Sequence, residues 1–182
     1  MLTNNLTKIN SNYFDLFRLP LQFNIDQKLL AIRFYELQQQ FHPDQCINKS
    51  VKDKKWFVEQ CALINQAWQI LREPLSRAVY ILSLYGFDID NEAYSLNKDV
   101  SFLTEQLELR EECEQIEQQL NEIILNNFIT KIDKLISKFI VQIEHQMNFK
   151  KWEQAIKTVQ KLQFLTKLRH HLDNLENRLF DF

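Results

Sequence analysis

Turn-forming residues are nearly missing from this sequence. Its 182 residues include one glycine, Gly86, and three prolines, Pro20, Pro43 and Pro74. A sheet protein reverses direction often and draws on such residues to do so, so their scarcity excludes a fold of many tight turns and favours long helices. Cysteine is also sparse, at Cys46, Cys61 and Cys113. No two of them have C-x-x-C spacing, which argues against a zinc site or a disulfide framework. Cys61 and Cys113 fall on apolar helical positions, where cysteine acts as a small hydrophobe, and the chain reads as a reduced, cytoplasmic protein. Charge of one sign is lacking as well. The 22 basic and 24 acidic residues leave a net charge of −2, which offers no footprint for nucleic acid. No apolar run approaches the ~18 residues a membrane helix needs, so no membrane partner is expected. Residues 1–12, MLTNNLTKINSN, hold neither an apolar signal core nor an arginine and read as a lead-in.

What is present is helical periodicity. Apolar residues make up 45% of the chain, enough for a substantial core. "NSNYFDLFRLP" reads as a short helix that Ser11 or Asn12 can cap and Leu19-Pro20 ends. A second helix starts near Asn24 or Asp26 and carries Leu30, Phe34, Leu37 and Phe41 on one face. Pro43 stops it, and the lysine-rich "DQCINKSVKDKK" follows as a loop. A third helix carries Phe57, Cys61, Ile64, Trp68 and Leu71. Pro74 sits well at the first turn of a fourth, and Gly86 closes it. "FDIDNEAYSLNKD", residues 87–99, has no period and reads as a linker. Beyond it come three more stripes: Phe102, Leu109, Cys113, Ile116 and Leu120; then Leu125, Phe128, Ile132, Leu135 and Phe139; then Val159, Leu162, Leu165, Leu172 and Leu175. Three such helices with short breaks predict a bundle. The fold class is all-α, divided into a lead-in 1–12, a helical unit 13–86, a linker 87–99 and a bundle 100–182.

The conspicuous local feature is "QQQFHPDQC", residues 38–46. Pro43 reads equally as a plain helix stop, and Asp44 as a plain turn residue. As catalysts His42 and Asp44 lack a nucleophile, with no G-x-S-x-G nearby and no activator beside Cys46. As metal ligands they are too few. His170 and His171 are adjacent, so they point about 100° apart on a helix and do not share a metal easily, and His145 stands alone. What remains is a rigid polar signpost between two helices, suited to binding a partner.

"FHPDQ", followed by "INQAWQILREPLSRAVYI", resembles the J domain of the DnaJ co-chaperones, with Ile64, Asn65, Ala67, Trp68, Leu71, Pro74, Arg77 and Tyr80 at the places of its later helical pattern. The likeness extends further. "YFDLFRLP", "INQAWQILREPLSRAVYILSLYGFD", "FLTEQLELREE", "KLQFLTKLR" and a terminal "DF" resemble the HscB family, the J-type co-chaperones of iron–sulfur cluster assembly, over almost the whole chain. That resemblance implies an antiparallel helical hairpin at the N-terminus and a C-terminal three-helix domain. It implies a protein that is not an enzyme and carries no cofactor of its own. It implies two partners: an IscU-type scaffold held by the C-terminal domain, and an HscA/DnaK-type chaperone whose ATPase is stimulated through His42, Pro43 and Asp44. The family's scaffold-binding patch falls on Leu103, Thr104, Leu107, Glu108, Glu111 and Phe164. Thr104 departs from it, standing where a larger apolar residue is usual. J domains carry a basic second helix for the chaperone, and here Lys28 and Arg33 are its only bases, with Gln38, Gln39 and Gln40 in the last turn. A neutral helix steers a partner less strongly. No cysteine-rich motif of the eukaryotic kind precedes Tyr13, which favours a bacterial-type member. The alternatives are a J protein with a different client, or a helical interaction protein with a chance His-Pro-Asp.

Overall fold

The computed structural model describes residues 12–41, 50–91, 94, 96, 99–119 and 121–180. Among them there are seven helices and no strand, so the fold is all-α: α1 (Tyr13–Leu16), α2 (Gln27–Gln40), α3 (Val51–Arg72), α4 (Pro74–Leu84), α5 (Val100–Gln119), α6 (Glu122–Asn148) and α7 (Trp152–Phe180). The chain forms two compact units that divide between Ile81 and Leu82, within α4.

In the first unit Asn12 caps α1, its side chain accepting the Asp15 N–H at 3.0 Å. The helix is a single turn held by what it buries: Phe14, Leu16 and Phe17 are all in the core. The Tyr13 N–H donates to the Tyr80 hydroxyl at 2.9 Å, which ties α1 to α4. Asp26 caps α2, accepting from the N–H groups of Lys28 and Leu29 at 2.9 and 3.0 Å, so two of the orphan donors of that helix are satisfied. Its stripe turns inward as the spacing predicts, with Leu30, Phe34 and Phe41 buried.

The third helix begins earlier than its lysines suggest. Ser50 is the N-cap, its Oγ accepting from the Asp53 N–H at 3.3 Å and its hydroxyl donating to the Asp53 carboxylate at 2.8 Å. Lys52, Lys54 and Lys55 therefore lie in the first turns of a helix rather than in a loop. Cations oppose the helix dipole there, which masks the start of the helix in the sequence. Against α3, α2 runs antiparallel: Phe34 stacks on Trp68 at 4.5 Å, Gln38 reaches Asn65 at 3.3 Å, and Phe41 meets Phe57 at 5.8 Å. Arg77 of α4 is almost fully buried. Its Nη1 donates to the carbonyl of Leu71, one of the last carbonyls of α3, and its guanidinium lies 5.1 Å from the Phe23 ring centre. Burial lowers its pKa, against the opposing charge of Glu73.

The second unit opens with the end of α4, which Gly86 closes at φ +83°, a conformation that costs any other residue. Of residues 87–99, read from the sequence as a linker, several of the described ones are tied into this unit. Ile89 and Leu96 are buried, Phe87 lies 6.0 Å from Trp152, and the Gln160 side chain donates to the Ile89 carbonyl at 2.8 Å. Isolated apolar anchors in a polar segment leave no period to detect. Asn121 caps α6, accepting from the N–H groups of Ile123 and Ile124 at 3.0 and 3.1 Å. Lys150, at φ +54°, makes the turn into α7. The bundle core joins Leu109, Cys113 and Ile116 of α5 with Leu125, Phe128, Ile129 and Ile132 of α6 and Leu165, Leu168, Leu172 and Leu175 of α7. No described helix is long and apolar enough to cross a membrane.

Candidate functional site

His42, Pro43 and Asp44 lie outside the described residues, as do residues 45–49. The structure does define where this stretch leaves and re-enters the hairpin. It leaves from Phe41, whose N–H donates to the Leu37 carbonyl at 3.0 Å and whose carbonyl accepts the Cys61 thiol at 2.7 Å. It re-enters at Ser50, the cap of α3. A ring cluster joins the end of α2 to the second turn of α3: Phe41 meets Trp56 at 5.7 Å, and Trp56 meets Phe57 at 5.3 Å. The two flanking residues, Phe41 and Ser50, thus belong to two packed helices.

Lys28 and Arg33 of α2 do not form one basic face. Five residues on a helix turn about 140° net, so the two cations diverge. Arg33 is occupied by Glu36 at 3.0 Å on the flank of the helix. Lys28 shares the outer face with Ile32, Tyr35 and Gln39, at spacings of four, three and four. Ile32 and Tyr35 are 54% and 63% exposed. Sequence reasoning passed over these two, although their phase opposite Leu30, Phe34 and Phe41 marks them. The outer face of α2 is therefore mildly apolar, with Lys28 forming no ion pair among the described residues, and is not a basic stripe.

The second group of predicted residues gathers on α5. Phe102, Leu109, Cys113 and Ile116 point into the bundle. Leu103 and Leu107, one and five positions on from Phe102, are turned out and are 41% and 57% exposed. Phe164 of α7 is half-buried on the bundle core. Its ring meets Phe102 edge-on at 6.2 Å, and Arg110 lies over it at 5.5 Å. Phe164 thus lies along α5 at the stretch from Phe102 to Arg110, the level that carries Leu103 and Leu107. Thr104 donates its hydroxyl to the Val100 carbonyl at 3.0 Å, so that polar group is satisfied within the helix and the methyl is left for contact. Glu108 and Glu111 are exposed on the same outward side.

The acidic run of α5 is partly neutralised from other helices. Lys131 of α6 pairs with Glu112 at 2.6 Å, and Arg178 of α7 pairs with Glu117 at 2.7 Å. The Arg178 hydrogen bond is the main cause of the lowered pKa of Glu117. Arg110, the one counter-charge within the run, is given to the Phe164 ring instead. At the start of α5 the Asp99 carboxylate accepts from the Ser101 hydroxyl at 2.8 Å and the Phe102 N–H at 3.2 Å, which lowers its pKa. No cluster of three or more side chains able to hold a metal ion occurs among the described residues.

Residues 98–173 match the family model described as the HSCB C-terminal oligomerisation domain. Among solved structures, the chain is similar to chaperone HscB from Vibrio cholerae at 37% identity and a TM-score of 0.82, the match covering 92% of this chain and 99% of that one. It is similar in fold to human co-chaperone protein HscB, at 23% identity and a TM-score of 0.84, with coverage of 91% and 82%. The fold also resembles the Jac1 co-chaperone from Saccharomyces cerevisiae, at 22% identity and a TM-score of 0.73, with coverage of 92% and 95%.

Proposed function

The chain belongs to the HscB family of co-chaperones, and we propose that it couples an IscU-type iron–sulfur scaffold to an HscA/DnaK-type chaperone. In this reading the C-terminal bundle holds the scaffold, and the hairpin stimulates the chaperone's ATPase through His42, Pro43 and Asp44. The chain performs no chemistry itself. It acts by bringing two proteins together, so that hydrolysis occurs when the scaffold is in place and the cluster passes on to acceptor proteins. It works in the cytoplasm of a bacterial-type cell.

The observation that carries this reading is the outward pair Leu103 and Leu107 on the same stretch of α5 as Phe164. The bundle has an adequate core without these leucines, so their exposure is surplus to folding. Fully burying an exposed leucine side chain is worth about 1.5–3 kcal/mol, of which roughly half remains for a partner to gain at these half-exposed positions, and a few such anchors commonly dominate an interface. Thr104 adds a smaller apolar contact, and Glu108 and Glu111 form a polar, acidic rim. On the hairpin, Lys28 is joined by Ile32 and Tyr35 rather than by further cations. The chaperone contact therefore leans on apolar burial and on the His-Pro-Asp segment, with a weaker electrostatic share.

Calorimetric titration of purified IscU-type scaffold into the wild-type chain and into Leu107→Ala tests the client half of this reading. Saturable binding by the wild type and binding at least tenfold weaker by the variant are expected; no binding by the wild type refutes it. ATPase assays with the cognate chaperone at two salt concentrations test the other half. Stimulation that falls only slightly with salt is expected.

A further inference from the structure

Past Phe164, the seam between α5 and α7 opens into a groove of about 310 Å³ lined by Arg110, Cys113, Glu114, Phe164, Lys167, Leu168 and His171. Its floor is apolar: Cys113 and Leu168 are 3% and 7% exposed. Burial and the surrounding glutamates raise the pKa of the Cys113 thiol, so the floor carries no charge. The rim is basic. Arg110 and Lys167 form no ion pair among the described residues, and His171 adds a third nitrogen base, 3.6 Å from Glu117. Among the described residues Glu114 is the one carboxylate that lines the groove, with Glu112 and Glu117 close enough to act on the Cys113 thiol. Elsewhere α5 presents acid to solvent, through Glu108 and Glu111. The groove is thus a local reversal of sign on an acidic helix, and it begins at the aromatic ring where the proposed scaffold patch ends.

We propose that this groove is a second client subsite, which takes an apolar side chain of the scaffold together with a neighbouring carboxylate. The apolar side chain fills the space over Cys113 and Leu168, beside the Phe164 ring. The carboxylate lies between Arg110 and Lys167. The volume is at the low end of ligand pockets, which start at ~300 Å³, and it suits one or two side chains rather than a cofactor. Arg110, placed over Phe164, links the two subsites: its guanidinium caps the ring that anchors one segment of the client and faces the acid of the next. The scaffold would therefore meet acid at Glu108 and Glu111 and base at Arg110 and Lys167, which fixes its direction along the seam as well as its affinity. The inference rests on the reading of α5 and Phe164 as the scaffold site.

Lys167→Glu tests it, since Lys167 is exposed and its loss leaves no buried group unpaired. Lys138→Glu on α6 is the control, with the same change in net charge at a residue that does not line the groove. In calorimetric titrations with purified IscU-type scaffold at low salt, Lys167→Glu is expected to bind about fivefold more weakly than wild type. The deficit should shrink as salt is raised. Lys167→Arg and Lys138→Glu should bind as wild type, and all three should melt as wild type. Wild-type binding by Lys167→Glu beside weakened binding by Leu107→Ala overturns the groove while leaving the scaffold patch intact. Wild-type binding by both variants overturns the patch as well. Equal weakening by Lys167→Glu and Lys138→Glu assigns the effect to net charge and overturns the proposal. A change in the sedimentation of the chain alone on Lys167→Glu does so too, because the occupant is then a second copy of this chain.

Discussion

The Tyr80 hydroxyl accepts the backbone N–H of Tyr13 at 2.9 Å, and the two rings stack with centres 4.5 Å apart. A single phenol thus fastens the one-turn helix α1 to α4. Burial raises the Tyr80 pKa, with the hydrogen bond from Tyr13 working the other way. A group whose folded-state pKa is raised supplies stability that is present below its unfolded value and is lost as pH rises through the folded one. The stability of the N-terminal unit should therefore hold at neutral pH and fall above pH ~10. Tyr80→Phe should lose about 1 kcal/mol at pH 7 and show a smaller decline above that pH than the wild type. Denaturant unfolding from pH 7 to 11 compares the two.

His42→Gln is expected to leave the fold and the scaffold affinity unchanged and to remove stimulation of the chaperone ATPase. The residue follows the end of α2 and lies on none of the apolar stripes of the hairpin. Circular dichroism, scaffold titration and single-turnover hydrolysis together decide. Full stimulation by the variant refutes a role for the His-Pro-Asp segment.

The scaffold anchors should separate from the chaperone contact. Leu103→Ala combined with Leu107→Ala removes two exposed side chains, so the melting temperature should change little while scaffold binding falls more than thirtyfold, about 2 kcal/mol or more. Phe164→Ala behaves differently. Its ring packs on Phe102 and the bundle core, so it should cost stability as well as binding, about 1–2 kcal/mol for a half-buried ring. Basal chaperone stimulation should persist in the double variant.

A fragment ending at Gly86 is expected to fold cooperatively and to stimulate the ATPase without any enhancement by scaffold. Its core of Phe14, Leu30, Phe34, Phe57, Ile64 and Leu71 comes from α1, α2 and α3. Truncation removes the Trp152 ring on which Tyr85 stacks at 4.4 Å, so the last turn of α4 should fray. Hydrogen exchange of the fragment reads this directly: protection through Ile81 is expected, and an unprotected α3 refutes independent folding.

The sequence by itself determined the helices and their inner faces. Leu30, Phe34 and Phe41, or Phe102, Leu109, Cys113 and Ile116, recur at helical spacing, and a stripe of that kind has to be buried whatever its neighbours are. Ser11 or Asn12, Asn24 or Asp26, and the single glycine marked ends to within a residue or two for the same reason, since capping and positive φ are set within a few residues, and the structure chose Asn12 and Asp26. The outward phase of Leu103 and Leu107 was legible too. Tertiary structure decided everything that depends on residues distant in the chain. It gave Arg110 to the Phe164 ring instead of a nearby glutamate, and brought Lys131 and Arg178 to Glu112 and Glu117. It buried Ile89 and Leu96 from a segment without a period, and hid Arg77 against the end of α3. It also opened the basic groove between α5 and α7. Periodicity reports which side of one helix avoids water, whereas these features are set by which second helix arrives and at what register, and no local pattern encodes that.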